Sequence, residues 1–101
     1  SILFPGVKVG RGSLVKDSIL FFDNVVGENV RIRKTISDVN VAFGDHCRVG
    51  GAEGGPDDIP TVIGWSNAIP AAASIAGRCT LYPQLDPALL QRAIGDGEVI
   101  K

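Results

Sequence analysis

The sequence predicts an all-β protein: a left-handed parallel β-helix of about four to five coils, followed by a short helix near the C-terminus. Two observations carry this. Three blocks of seventeen residues repeat one another, SILFPGVKVGRGSLVKD, SILFFDNVVGENVRIRK and TISDVNVAFGDHCRVGG. Within the blocks, strong apolar residues stand six apart, as from Val9 to Val15, Val26 to Ile32 and Phe43 to Val49. A step of six is neither a helical period nor plain strand alternation. It fits three short faces per coil, with one residue trimmed at a corner.

The coils follow in order as 1–17, 18–34 and 35–51. Ser1, Ser18 and Thr35 share one column, and Ile2, Ile19 and Ile36 share the next. β-branched side chains suit stacked inward sites because χ1 is stiff and they pack well on pleated surfaces. A charge placed in the stack, by Ile19→Asp or Val26→Asp, is expected to unfold the chain. Ser13, Val30 and Cys47 fill a second, small inward column. Gly12, Asn29 and His46 share a corner, and all three residue types tolerate positive φ. The segment 50–60, GGAEGGPDDIP, holds four glycines, two prolines and three acids and reads as a loop ejected from a corner. Apolar steps of six return at Ile63, Ile69 and Ile75, giving further coils over 61–80. Ile63-Gly64 resembles Val9-Gly10, which sets Trp65 in the column of Arg11, Glu28 and Asp45.

The remainder, 81–101, reads as a helix and tail. Asp86 is an N-cap, Pro87 the first turn, Ala88 to Ile94 the body and Gly95 the terminator. Leu89, Leu90, Ala93 and Ile94 are placed over the end of the solenoid, and Val99-Ile100 as a last strand. The 101 residues make one domain. Ser1 falls at the start of a coil, so the chain reads as a piece of a larger protein.

Composition bounds the function. Ten Lys and Arg stand against eleven Asp and Glu, for a net charge of -1, which argues against a nucleic-acid clamp or a polybasic membrane anchor. A mean hydropathy of +0.21 is that of a chain able to bury a core. No apolar stretch is long enough to span a bilayer as a helix. Two cysteines without a secretory leader point to reduced thiols in the cytoplasm.

Few residues offer chemistry. His46 is the only histidine, which argues against a three-histidine zinc site, and a base role stands against a plain turn role at the corner of Gly12 and Asn29. Cys47, in the small inward column, reads as buried rather than reactive; Cys79 stays open. No catalytic residue and no metal ligand set is identified. Basic residues are more informative. Arg31 and Arg48 share a column on adjacent coils, with Arg33 and Lys34 close by, and four such cations suit a phosphorylated effector. Solvation, or pairing with acids, is the competing reading. Trp65, the only tryptophan, is a candidate interface residue.

The run SILFPGVKVGRGSLVKDSILF, then VVGENVRI, the loop and TVIGWSNAIPAAASI, resembles the C-terminal domain of glucose-1-phosphate adenylyltransferases. Leu3-Phe4-Pro5-Gly6-Val7, Asp17-Ser18-Ile19 and Thr61-Val62-Ile63-Gly64 are the telling motifs. The resemblance implies a parent enzyme making ADP-glucose and pyrophosphate from ATP and glucose 1-phosphate, with Mg2+, for glycogen or starch synthesis. It implies a homo- or hetero-oligomer. It further implies that catalysis lies in an N-terminal domain outside this chain, while this region serves subunit contact and control by sugar-pathway metabolites. The matching positions carry over no catalytic residue and no cofactor. Trp65 departs from the pattern, as does Ser37-Asp38 where the first two coils have Leu-Phe. Two other readings compete: a free-standing hexapeptide-repeat acyltransferase, and a purely structural β-helix module.

Overall fold

The structure, a computed structural model, describes residues 1–50 and 59–101. Most of the predicted loop 50–60 lies outside the described residues. Coil one contains β1 (Ile2–Leu3), β2 (Lys8–Val9) and β3 (Leu14–Lys16). Coil two contains β4 (Ile19–Leu20), β5 (Val25–Val26) and β6 (Arg31–Arg33). Coil three contains β7 (Thr35–Ser37), β8 (Ala42–Phe43) and β9 (Arg48–Val49). Coil four contains β10 (Thr61–Ile63), β11 (Ala68–Ile69) and β12 (Ser74–Ile75). Next come β13 (Thr80–Leu81), a 3-10 turn (Pro87–Leu90) and β14 (Val99–Ile100).

Strands at equivalent positions stack in parallel into three sheets. In spatial order, the first sheet runs β1-β4-β7-β10-β13-β14, the second β2-β5-β8-β11 and the third β3-β6-β9-β12. The result is a β-solenoid of about five turns, each turn ~4.8 Å above the last. Ile2 pairs with Ile19 and Ile19 with Ile36, so the seventeen-residue period is the coil itself.

The core is a set of inward columns. Leu20, Ile63 and Leu81 fill the first sheet's column, Val26, Phe43 and Ile69 the second's, and Ile32, Val49 and Ile75 the third's, all buried. Each such side chain contributes about 1.5–3 kcal/mol by leaving water. The second inward column of Val30 and Cys47 is buried as expected, with Ser13 half-buried. The shared corner is equally plain: Gly12, Asn29 and His46 have φ of 73°, 56° and 63°.

Buried polar groups are tied to the backbone of neighbouring coils. Ser18 Oγ donates to the Lys16 carbonyl at 2.8 Å and accepts from the Thr35 amide at 3.1 Å. Thr61 Oγ1 donates to the Ala76 carbonyl at 3.0 Å and accepts from the Cys79 amide. Asn24 Nδ2 donates to the carbonyls of Phe21 and Asp38, and its Oδ1 accepts from Ser37 Oγ. Asn67 does the same two coils further on, donating to Gly64 and Tyr82 and accepting from the Leu85 amide. Every buried side-chain polar atom among the described residues has a partner, as a core with few voids requires.

Three expectations are corrected. Ile19 is not in the stack: it is half-buried and faces outward, while Leu20 beside it is fully buried. Both strand faces are apolar here, so alternation in the sequence could not tell them apart. Trp65 does not share the column of Arg11, Glu28 and Asp45. Thr61 pairs with Thr35 and Ile63 with Ser37, so Ile63 belongs to the first face. The corner ladder agrees: the amides of Asp23, Asn40, Ser66 and Gln84 donate to the carbonyls of Pro5, Phe22, Val39 and Trp65 in turn. Trp65 therefore stands with Phe22 and Val39. The residue beside Asp45 is instead at position 71, since the Ala72 amide donates to the Asp45 carbonyl.

The third correction concerns the C-terminal segment. Asp86 caps as expected, its carboxylate accepting from the Ala88 amide at 3.0 Å. The helix, however, is one turn, Pro87–Leu90, and not a body reaching Ile94. Ile94 forms a parallel bridge to Ile75, extending the third sheet. The segment thus continues the solenoid as a fifth coil in which the short turn packs on β11. Leu85, Leu90, Ile94 and Ile100 bury themselves over this end, while Leu89 and Ala93 stay exposed. An Arg92–Glu98 ion pair at 2.7 Å closes the last loop.

Candidate functional site

The outward positions of the three sheets differ in character. On the third sheet, Leu14, Arg31, Arg48 and Ser74 form one row in register. Lys16 pairs with Arg33 in the adjoining row. Arg31 and Arg33 flank the inward Ile32, so both emerge on the same side of β6. Strands ~4.8 Å apart and alternate residues ~6.6 Å apart make Lys16, Arg31, Arg33 and Arg48 a compact grid of cations. Arg31 and Arg48 are exposed, and Arg33 is half-buried.

Three of the four predicted effector residues, Arg31, Arg33 and Arg48, therefore share a face. Lys34 lies at the corner that follows, with φ 44°, and belongs to neither row. Sequence reasoning missed Lys16. Its signal was present, because it precedes Arg33 by one full period.

Like charges directly opposite on neighbouring strands are destabilising, by about 0.2–1 kcal/mol. Arg31 and Arg48 face each other in this way, and neither has an ion-pair partner among the described residues. An anion placed between them would relieve that repulsion and could take planar, forked hydrogen bonds from both guanidinium groups.

The other candidates have no such setting. His46 is an exposed corner residue whose amide donates to the Glu28 carbonyl. Cys47 and Cys79 are free and buried. Burial pushes the Cys47 thiol up to about 12, with Asp45 adding to the rise and a backbone hydrogen bond opposing it. Burial also raises Cys79, against hydrogen bonds from the backbone of Glu98 and Gly97. A folded-state value above the ordinary one means that the neutral thiol's contribution to stability is intact up to the ordinary thiol range. It is lost as pH rises towards 12. At pH 8 the native chain is expected to leave both thiols unlabelled by a disulfide reagent, with both reacting on addition of denaturant. Rapid native labelling of either would contradict this burial. Among the described residues no group of three or more His, Cys, Asp or Glu side chains is placed to hold a metal. No helix among them is long and apolar enough to cross a membrane.

The first sheet presents a different surface. Ile2, Ile19, Ile36 and Val62 form an outward row. Phe4 stacks on Phe21 with ring centroids 4.8 Å apart, and meets Phe22 edge-on. Trp65 is half exposed on the adjoining corner.

Solenoid, repeat and outward faces together define a hexapeptide-repeat protein, and the chain belongs to the GlmU-like C-terminal hexapeptide family, whose model matches residues 1–57. Among curated proteins it is similar to glucose-1-phosphate adenylyltransferases. That of Acetivibrio thermocellus is 33% identical over 93 residues, covering 84% of this chain and 22% of the relative. That of Desulfitobacterium hafniense is 40% identical over 78 residues, covering 75% and 20%. That of Geobacter metallireducens is 48% identical over 50 residues, covering 50% and 12%. The chain thus spans about a fifth of the length of the first of these relatives. No solved structure matches it significantly.

Proposed function

We propose that this chain is the regulatory and oligomerisation region of a cytoplasmic glucose-1-phosphate adenylyltransferase. The parent reaction joins ATP and glucose 1-phosphate into ADP-glucose and pyrophosphate, for glycogen or starch synthesis. In this reading, catalysis and its Mg2+ belong to an N-terminal nucleotide-binding domain. The present region binds a phosphorylated sugar-pathway effector and contacts other subunits. Likeness to adenylyltransferases over 84% of the chain supports the parentage. The observation that carries the regulatory role is the in-register Arg31–Arg48 pair, bordered by Arg33 and Lys16. Lys34, at the corner, is the outermost member of the set.

The test is a thermal-shift screen of the chain with fructose 1,6-bisphosphate, fructose 6-phosphate, 3-phosphoglycerate, pyruvate, AMP and acetyl-CoA. A ligand of the folded state at ten times its Kd adds about 1.4 kcal/mol. In a domain of this size that raises Tm by about 6 °C or more. A shift with a phosphorylated metabolite is expected, and Arg48→Ala is expected to abolish it. A shift with acetyl-CoA alone would favour an acyltransferase. No shift with any of them would leave a structural module.

A further inference from the structure

We propose that the first sheet's outward face is the contact between two copies of this chain, packed sheet on sheet about a two-fold axis parallel to the strands. The inference rests on the oligomerisation part of the function proposed above and names the surface and its partner.

The face is apolar in three adjoining rows. The first row runs Ile2, Ile19, Ile36, Val62, Thr80, Val99 across all six strands in register. It contains no charge. Ile2 is 57% exposed, Val62 40% and Val99 53%, unusual for a row of β-branched side chains in one continuous sheet. The second row includes Phe4, Phe21 and Tyr82, and its only charges are Asp38 and Lys101. The third, on the corner, brings Phe22, Val39 and Trp65 to the same edge.

Area is sufficient. A triangular prism has three sides and two ends, so one side holds roughly a fifth of the 5535 Å² surface, on the order of 1,000 Å². A standard interface takes about 800 Å² from each partner.

Symmetry and charge select the arrangement. An isologous pair places one patch on its own copy. An axis along the solenoid would stack each strand on itself and bring both Asp38 carboxylates onto one strand pair. An axis parallel to the strands, midway between β7 and β10, reverses the strand order instead. Then β7 faces β10 of the second copy, β4 faces β13 and β1 faces β14. Position along the strand is kept, so row meets like row. Ile36 meets Val62, Ile2 meets Val99, Phe21 meets Tyr82 and Val39 meets Trp65. Asp38 falls opposite Gly64. Lys101, whose ammonium lies 5.5 Å from the Tyr82 ring in its own chain, comes opposite Phe4 of the other. Strands remain parallel, the aligned packing that twisted sheets adopt at ~10 Å separation.

Sedimentation velocity over a concentration series tests this. The chain is expected to dimerise reversibly. Val62→Glu, at the centre of the face, is expected to be monomeric throughout with its thermal melt retained. Ile2 and Val99 lie at opposite ends of one sheet, so they can meet only between copies. Ile2→Glu and Val99→Lys are each expected to weaken dimerisation about tenfold, and their equimolar mixture to form a heterodimer tighter than either homodimer. A Val62→Glu chain that dimerises like the parent would overturn the proposed face, while leaving oligomerisation itself standing. A mixture no tighter than its components would overturn the two-fold arrangement. A parent that stays monomeric at every concentration would sink both this inference and the oligomerisation reading.

Discussion

A chain carrying Val26→Asp is expected to show no cooperative melt, whereas Ile19→Asp is expected to fold. Val26 is buried on β5, paired to Val9 on one side and Phe43 on the other. An ionised carboxylate there has no partner and loses its water, at an effective penalty of several kcal/mol. A domain of this size has only about 5–15 kcal/mol in total, and the lost valine contacts add to the deficit. Ile19 sits seven residues away on the outward row. Its carboxylate variant reaches water, so the expected loss is about 1 kcal/mol. Circular dichroism melts of the two variants check the assignment directly. A cooperative melt for Val26→Asp would mean that the inward column is misplaced.

Asn67→Leu is the second large effect, although the change is to a hydrophobic residue in a buried site. The Asn67 amide serves three backbone groups at once: the Gly64 and Tyr82 carbonyls at 2.9 Å each and the Leu85 amide at 3.0 Å. Leucine fills the volume and satisfies none of them. Each orphaned group costs about 1–3 kcal/mol, so the total expected loss is at least about 3 kcal/mol. Urea titration measures it. The slope should stay constant while the midpoint falls. A variant within about 1 kcal/mol of the parent would show that the side-chain amide is dispensable there.

The coil was legible because the period of the sequence is the period of the stack. Seventeen residues separate Ile2, Ile19 and Ile36, and the same residues pair. Phase was harder to read than period. Every face offers an aliphatic at the head of its hexad, so after a loop of arbitrary length Ile63 looks like Phe43 as much as like Ser37. The small polar column holds the missing information. Thr61 continues Ser18 and Thr35, and all three are buried. The C-terminal turn misled in another way. An N-cap, a proline and a run of alanine and leucine are local signals, and they do form a helical turn. Pairing of Ile94 with Ile75 then takes the chain back into the sheet. The candidate site was half legible. Column spacing brings Arg31 and Arg48 together, and Lys16 obeys the same spacing. The apolar first face was not legible, because Ile-Leu pairs do not say which of the two points out.

Coils need not be equally long. Equivalent residues of the first three coils stand seventeen apart, yet Thr35 pairs with Thr61 as though nothing intervened. The sequence between Val49 and Thr61 is longer than its counterparts in the earlier coils, and the faces on either side keep their pairing. On a face, a single inserted residue would turn every following side chain inside out. At a corner, the added chain leaves the inward columns where they were. The solenoid is therefore rigid in its cross-section and permissive at its edges. Corners are the places where such a chain can acquire new loops, accept a grafted peptide or tolerate a tag, with the stacked faces serving as an unchanged ruler.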